Sequence, residues 1–167
     1  MHLLVEMQHV TRAEFVRGLA GLSDEDARRR IEPMNCISWI IGHMAHQEHA
    51  YFVAWPQGQE AAPEYKAFAY GSPASQPSLE EVMALWRAVC EDADKCLHAA
   101  NEESLRQLVI APDPAVEREN LGTRISRNIF HYWSHIGEIS AIRQILGHRP
   151  PEFVDVHGWS YGGGSVR

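Results

Sequence analysis

The sequence predicts an all-α protein, a four-helix bundle, on three observations. Apolar residues recur at helical spacing along almost the whole chain, four of the segments with this spacing are long, and strand-like alternation is scarce. Two long irregular connections separate the predicted helices. A chain of 167 residues with 45% apolar composition can bury one core without cross-links. We therefore expect a single four-helix domain over residues 1–167.

The first predicted helix begins near the N-terminus and ends within residues 18–21. Its apolar residues at helical spacing are Leu3, Met7, Val10, Phe15 and Leu19. Ser23 then has the character of a helix N-cap, with Asp26 at the third position of a short helical segment that reaches Arg30. Pro33 ends that segment.

The second long helix is predicted from about Cys36 to Trp55, with Asn35 as its N-cap. Its apolar residues are Ile37, Ile40, Ile41, Met44, Tyr51, Phe52 and Trp55. Residues 56–77, the connecting segment, contain four prolines and two glycines, and we predict no regular structure there. A connection of this length is either functional or a crossover. It can span a 20-residue helix of about 30 Å, so the second and third helices can be parallel neighbours.

The third helix begins with a capping box, in which Ser78 is the N-cap and Glu81 is the third helical residue. It is predicted to reach about Ala100. The residues predicted to face inward are Val82, Leu85, Trp86, Val89, Ala93, Cys96 and Leu97. A second irregular stretch follows over residues 101–120, and residues 108–110 within it could form a short strand.

The fourth helix is predicted from about Thr123 to Leu146, and Gly147 follows it as a C-terminal capping glycine. The remaining tail, residues 148–167, is rich in glycine and proline. We expect it to lie against the domain at Trp159 and to fray beyond Gly162.

Composition and charge exclude several functional classes. The formal charge of −7 and the pI near 5.8 argue against a nucleic-acid-binding protein. No apolar stretch approaches the roughly 20 residues of a membrane span, and the N-terminus lacks the pattern of a signal peptide. Cys36, Cys90 and Cys96 include no CxxC pair, so we expect reduced thiols in a cytoplasmic protein.

Two histidines in the fourth helix are the main chemical signal. His131 and His135 are four residues apart, which places both imidazoles on one helix face, one turn apart. Such a pair can bind one divalent metal. The alternative is a pair of ordinary helix-face histidines, bonded to water or to a carboxylate. Their apolar neighbours, Phe130, Trp133, Ile136, Ile139 and Ile142, predict partial burial, so the imidazoles need partners.

The second helix offers the third ligand. His43 falls on the inward side, with Ile40 and Met44, and is our candidate. His46 is the alternative ligand from this helix, because it could share part of that face. His49 is expected in solvent. Three neutral imidazoles would leave coordination positions open, as a catalytic metal requires.

Two carboxylates are candidate catalytic groups. Glu138 faces the His131 and His135 pair and could be a fourth ligand, a base or a hydrogen-bond partner of a ligand; otherwise it is an exposed side chain. Glu48 could accept the second N–H of a ligating histidine, or it is a solvated surface carboxylate. Trp39, Trp86 and Trp133 are predicted to be core residues.

Two segments of the chain together carry a family resemblance. One runs from Asn35 to Ala45 with Glu48 after it, in the order Asn, small, Ile, small, Trp, two apolar residues, Gly, His. The other runs from His131 to Ile139 and reads His-x-x-x-His-x-Gly-x-Ile. Both resemble signatures of the DinB-like superfamily, also described as damage-inducible or YfiT-like metal-dependent hydrolases.

The resemblance implies a fold, a site and a class of chemistry. The fold is an up-up-down-down four-helix bundle with the long connection between helices 2 and 3. The implied site is His43, His131 and His135 around one divalent ion, nickel, zinc or iron across such families. Many relatives are dimers, and we expect a homodimer here. Relatives of known activity include thiol-dependent enzymes, among them mycothiol-dependent maleylpyruvate isomerase and bacillithiol transferases.

Three functions remain open at this point. The first is a metal-dependent enzyme that activates a low-molecular-weight thiol for S-transfer or isomerisation of a small-molecule substrate. The second is a metal-dependent hydrolase that uses metal-bound water, with Glu138 or Glu48 as the base. The third is a bundle that binds metal without catalysis, for which a fourth protein ligand would be expected.

Overall fold

The computed structural model describes residues 1–113, 118–149 and 160 and confirms the all-α class. The four longest of its helices and two short ones are, in chain order, α1 (Leu3–Gly18), α2 (Asp24–Arg28), α3 (Ile37–Glu48), α4 (Pro63–Lys66), α5 (Leu79–His98) and α6 (Leu121–Ile145). A 3₁₀ turn covers Ser104–Arg106, and two-residue strands β1 (Leu108–Val109) and β2 (Glu119–Asn120) pair antiparallel. Among the described helices, none is both long and apolar enough to cross a bilayer. The predicted tail contact at Trp159 lies outside the described residues.

Side-chain caps explain where most of these helices begin. Ser23 Oγ accepts from the Asp26 N–H at 3.1 Å, and Ser78 and Glu81 form the predicted capping box. Asn120 Oδ1 accepts from a backbone N–H at 2.8 Å and starts α6 slightly earlier than predicted. The prediction of Asn35 as N-cap was wrong. The cap of α3 is Cys36, whose side chain makes no capping bond within the described chain.

The second predicted helix is not one regular helix. After α3 ends at Glu48, the chain continues as a π-helix over His49–Ala54 and a 3₁₀ turn over Trp55–Gln57. Tyr51 and Trp55 then lie against the buried guanidinium of Arg124, with ring centroids 5.3 Å and 4.6 Å from its Cζ atom. This cation–π contact joins the π-helix to α6.

The connecting segment was predicted to lack regular structure, and this was wrong. Pro63 starts the one-turn helix α4, as its fixed φ angle favours. Tyr65 and Phe68 from this region are both 8% exposed and pack into the core. His49, expected in solvent, is half-buried because its ring stacks on Tyr65 with centroids 4.1 Å apart.

The long helices pack in pairs around an apolar core. α1 packs against α6 and α3 against α5, while α3 and α6 also contact each other. Trp39 and Trp86 are buried and Trp133 packs partly buried against the core, as predicted. The inward residues of α5 are also as predicted. Val82, Trp86, Val89, Ala93 and Leu97 are buried, and Leu85 and Cys96 are half-buried. The three cysteines are free thiols.

A buried carboxylate joins the long helices. Glu48, the last residue of α3, is 0% exposed. Its two oxygens accept from Arg12 Nη2 at 2.7 Å and Arg12 Nε at 2.9 Å. Oε1 also accepts from Gln8 Nε2 at 2.9 Å, Tyr132 Oη at 2.8 Å and Asn128 Nδ2 at 3.2 Å. We call these five residues, from α1, α3 and α6, the Glu48 cluster.

α5 joins the same network through two of its side chains. Trp86 Nε1 donates to Tyr132 Oη at 2.7 Å, and Asp94 accepts from Arg12 Nη1 at 2.6 Å. Burial alone would lower the pKa of Arg12, but the charge and hydrogen bonds of Glu48 outweigh it and raise that pKa. The pKa of Tyr132 is raised well above its usual value by burial and by the negative charge of Glu48. Arg12 is therefore charged and Tyr132 is a neutral donor.

We predict that Glu48→Ala lowers the free energy of unfolding by about 3–5 kcal/mol, because it leaves the Arg12 charge buried without its main partner. Urea unfolding measures this. Glu91→Ala, which removes an exposed carboxylate on α5, is the matched control and is expected within about 0.5 kcal/mol of wild type. Glu48→Gln, which keeps the shape but not the charge, should lie between them. Equal stability of Glu48→Ala and the control would contradict this role.

Candidate metal centre

The structure brings the three predicted histidines together, and we call them the histidine cluster. His43 lies on α3, and His131 and His135 lie one turn apart on α6. His131 Nε2 is 3.2 Å from His43 Nε2 and 3.0 Å from His135 Nε2. One nitrogen from each ring lies within 4.8 Å of the other two. The set matches the ligands that the sequence analysis selected.

The outer nitrogens of two of these rings are held by fixed acceptors. His43 Nδ1 is 2.8 Å from the carbonyl oxygen of Phe68. Because a carbonyl can only accept, the proton of His43 is on Nδ1 and its Nε2 lone pair faces the cluster. His135 Nδ1 donates in the same way to the Glu138 carboxylate at 2.7 Å. This is the usual outer support of a metal-binding histidine.

The geometry and the donor set both fit a divalent cation. Two nitrogens bound at about 2.1 Å to one metal lie about 3.0 Å apart at a right angle and about 3.4 Å apart in a tetrahedron. The two measured separations are 3.0 and 3.2 Å. A single proton on His131 Nε2 could satisfy only one of its two neighbours. The three nitrogens therefore cannot all be paired by hydrogen bonds among themselves, whereas a cation accepts all three lone pairs.

Burial keeps these side chains ready to bind a cation. Burial, together with the neighbouring His135 and His43, lowers the pKa of His131 to about 3. Burial also lowers the pKa of His43, although its bond to the Phe68 carbonyl acts in the opposite direction. Metal ions bind the neutral form of imidazole, so both groups are in the binding form at neutral pH.

His46, the alternative ligand, is not part of the cluster. Its ring lies nearly parallel to that of His43, with centroids 6.4 Å apart. Its Nδ1 is buried and has no hydrogen-bond partner in the described part of the chain. Burial and the adjacent His43 lower the pKa of His46 to about 4. His46 thus lies beside the site as a neutral side chain.

The two candidate carboxylates have different roles. Glu138 bonds His135, so of the alternatives left open the structure supports that of a hydrogen-bond partner. Its side chain is 33% exposed. Glu48 fits neither alternative, because it is fully buried and its hydrogen bonds go to the Glu48 cluster. The sequence does contain a signal for this burial. Glu48 lies one turn after Met44, so a charged residue falls on the predicted inward face of α3.

Two further residues of the site were missed. Trp39 was predicted only as a core residue, yet its ring stacks on that of His43, with centroids 5.2 Å apart and planes 12° apart. Phe68, in the connecting segment, supplies the carbonyl that holds His43. Trp39 is one turn before His43 and could have been found from spacing. A backbone carbonyl has no such sequence signal.

We predict that Glu138→Ala weakens metal binding about 10–100-fold without unfolding the protein, because His135 loses the acceptor that orients it. Competition with a chromophoric chelator measures the affinity. Glu138→Gln keeps an acceptor oxygen and should lose less. A complete loss of metal in both variants would instead identify Glu138 as a ligand.

The comparison with known families agrees with this geometry. No curated protein matches the chain significantly. The model of the DinB superfamily matches residues 8–139, a span that contains the histidine cluster and all four long helices in whole or in part. The chain therefore belongs to the DinB superfamily.

Proposed function

We propose that this protein binds one divalent metal ion through His43, His131 and His135. The observation that carries the proposal is the convergence of three imidazole nitrogens, with two of the rings oriented from outside by Phe68 and Glu138. Membership of the DinB superfamily supports it. Nickel, zinc and iron all accept imidazole ligands, and metal availability as well as affinity decides which is bound.

We further propose a metal-dependent enzyme that uses a low-molecular-weight thiol for S-transfer or isomerisation. Three protein ligands leave positions open for an exogenous group. A bound divalent metal would supply Lewis acidity that lowers the pKa of a thiol or a water molecule. The chain contributes orientation through the imidazoles, and the Trp39 ring stacks on that of His43.

A hydrolase is the second candidate function, with Glu138 as the candidate general base. This carboxylate is partly exposed beside the cluster and could accept a proton from water. It already accepts the Nδ1–H of His135, however, and orienting that ligand competes with action as a base. A closed, non-catalytic site would need a fourth protein ligand. Among the described residues, the cluster comprises three ligand atoms, and His46 is not one of its members.

The proposal also includes the sequence predictions on helix order, oligomeric state, location and partners. We propose the up-up-down-down order of helices, with the connecting segment as the crossover between α3 and α5. We also propose a homodimer in the cytoplasm that acts on a small molecule and not on nucleic acid or membranes. The acidic charge of −7 supports the last of these.

The first experiment is elemental analysis of protein expressed without a histidine tag. We expect about one equivalent of metal in the wild type and none in His43→Ala or His131→Ala, because two imidazoles bind far more weakly than three. His46→Ala is the matched control, a histidine of the same helix outside the cluster, and should retain the metal. Absence of metal from the wild type, with no uptake of added zinc or nickel, would refute the proposal.

The thiol chemistry has its own test. Cobalt-loaded protein should show a new thiolate-to-metal absorption band on addition of a low-molecular-weight thiol, and His131→Ala should not. Assays of ester and amide hydrolysis without thiol serve as the comparison. Metal-dependent hydrolysis with no thiol band would favour the hydrolase.

A further inference from the structure

Gly42 and Phe68 are in unusually close contact beside the histidine cluster. A Cβ atom built on Gly42 would lie 2.6 Å from Cγ, 2.6 Å from Cδ1 and 2.8 Å from Cδ2 of Phe68. Real Cβ atoms essentially never approach another heavy atom within 3.0 Å. The rigid ring of Phe68 therefore lies directly on the bare backbone of α3. Any side chain at position 42 would force the ring away.

The same residue that packs on Gly42 also orients His43. The Phe68 carbonyl oxygen accepts the His43 Nδ1–H at 2.8 Å. The Trp39 ring touches both, stacked on His43 and edge-on to Phe68 with centroids 6.5 Å apart. The ring that packs on Gly42 and the carbonyl that bonds His43 both belong to Phe68. A displacement of the ring away from α3 would therefore also move the carbonyl that orients the imidazole.

His43 and His135 differ in where along the chain the hydrogen-bond acceptor of each Nδ1 lies. Glu138 is three residues from His135 on the same helix, so that contact forms with α6 itself. Phe68 is 25 residues from His43 in sequence and reaches it only when the connecting segment packs on α3. The orientation of His43 thus depends on tertiary packing of a segment that carries no ligand.

We propose that the connecting segment helps to form the metal centre. Phe68 is a positioning residue for His43, and Gly42 is the residue that allows the Phe68 ring to approach α3. The proposal rests on His43 being a ligand, as proposed above. It gives the long connection a function: its packing on α3 sets the tautomer and direction of one ligand and hence the metal affinity.

The test compares two glycine substitutions. Gly42→Ala should weaken zinc binding about 10–100-fold in competition with a chromophoric chelator, since the Phe68 carbonyl is displaced. Gly137→Ala is the matched control. Gly137 is also helical, lies two residues from His135 and has open space within 4 Å of the position that a Cβ atom would take. Both changes raise helix propensity equally, so equal affinities in the two variants would overturn the proposal.

A second pair of variants tests the same idea without crowding the helix. Phe68→Ala keeps the backbone carbonyl but removes the ring that holds it in place, and zinc affinity should again fall about tenfold or more. Phe130→Ala, next to His131 but 72% exposed, is the control and should bind as the wild type does. Equal binding by these two variants would contradict the proposal even if Gly42→Ala did not fold.

The double variant separates a positioning role from general damage to the structure. Once the ring is absent, a methyl group at position 42 has nothing to displace. Gly42→Ala/Phe68→Ala should therefore bind zinc about as tightly as Phe68→Ala alone, whereas independent effects would add. Additive losses would overturn the proposal. Failure of the wild type to bind either zinc or nickel would instead refute the proposed function, so the two failures are distinguishable.

Discussion

The buried charge pair of Glu48 and Arg12 is the constraint on which the rest of the structure depends. A carboxylate without exposure to solvent is tolerated only when its oxygens are fully bonded, and the donors come from α1 and α6. The hydrogen bonds from Tyr132 and Asn128 to Glu48 therefore fix the position of α6 along the axis of α3. Because Tyr132 follows His131 directly, the same register that satisfies Glu48 brings His131 opposite His43.

The packed helices thus contain two polar groupings with opposite character. In the Glu48 cluster, the Arg12 charge and the neutral donors Gln8, Asn128 and Tyr132 satisfy the buried carboxylate. In the histidine cluster, three acceptor nitrogens face one another and lack enough protons to pair. The carboxylate of the first grouping has its counter-charge within the chain, whereas the second offers nitrogen lone pairs that fit a cation.

Much of this arrangement could be predicted from sequence, and the failures have a common physical cause. Ser78 and Glu81 act within one turn, and His131 and His135 share a face of a single helix, so local periodicity was sufficient. The π-helix after Glu48, the burial of His49 under Tyr65 and the Phe68 carbonyl depend on how distant segments pack. Cys36, and not Asn35, occupies the N-cap position of α3, and its Sγ donates to the Ser75 carbonyl oxygen at 3.3 Å, a contact distant in sequence.

The distribution of the three histidines along the chain has a consequence for folding. Two of them lie on one helix, whereas His43 is 88 residues from His131. A partly folded chain in which α6 has formed but α3 has not docked would present a weak two-nitrogen site, and docking of α3 would add the third nitrogen. Bound metal would then favour the docked state by the ratio of the two affinities. Under the proposed function, tight metal binding would therefore require that α3 and α6 have packed against each other.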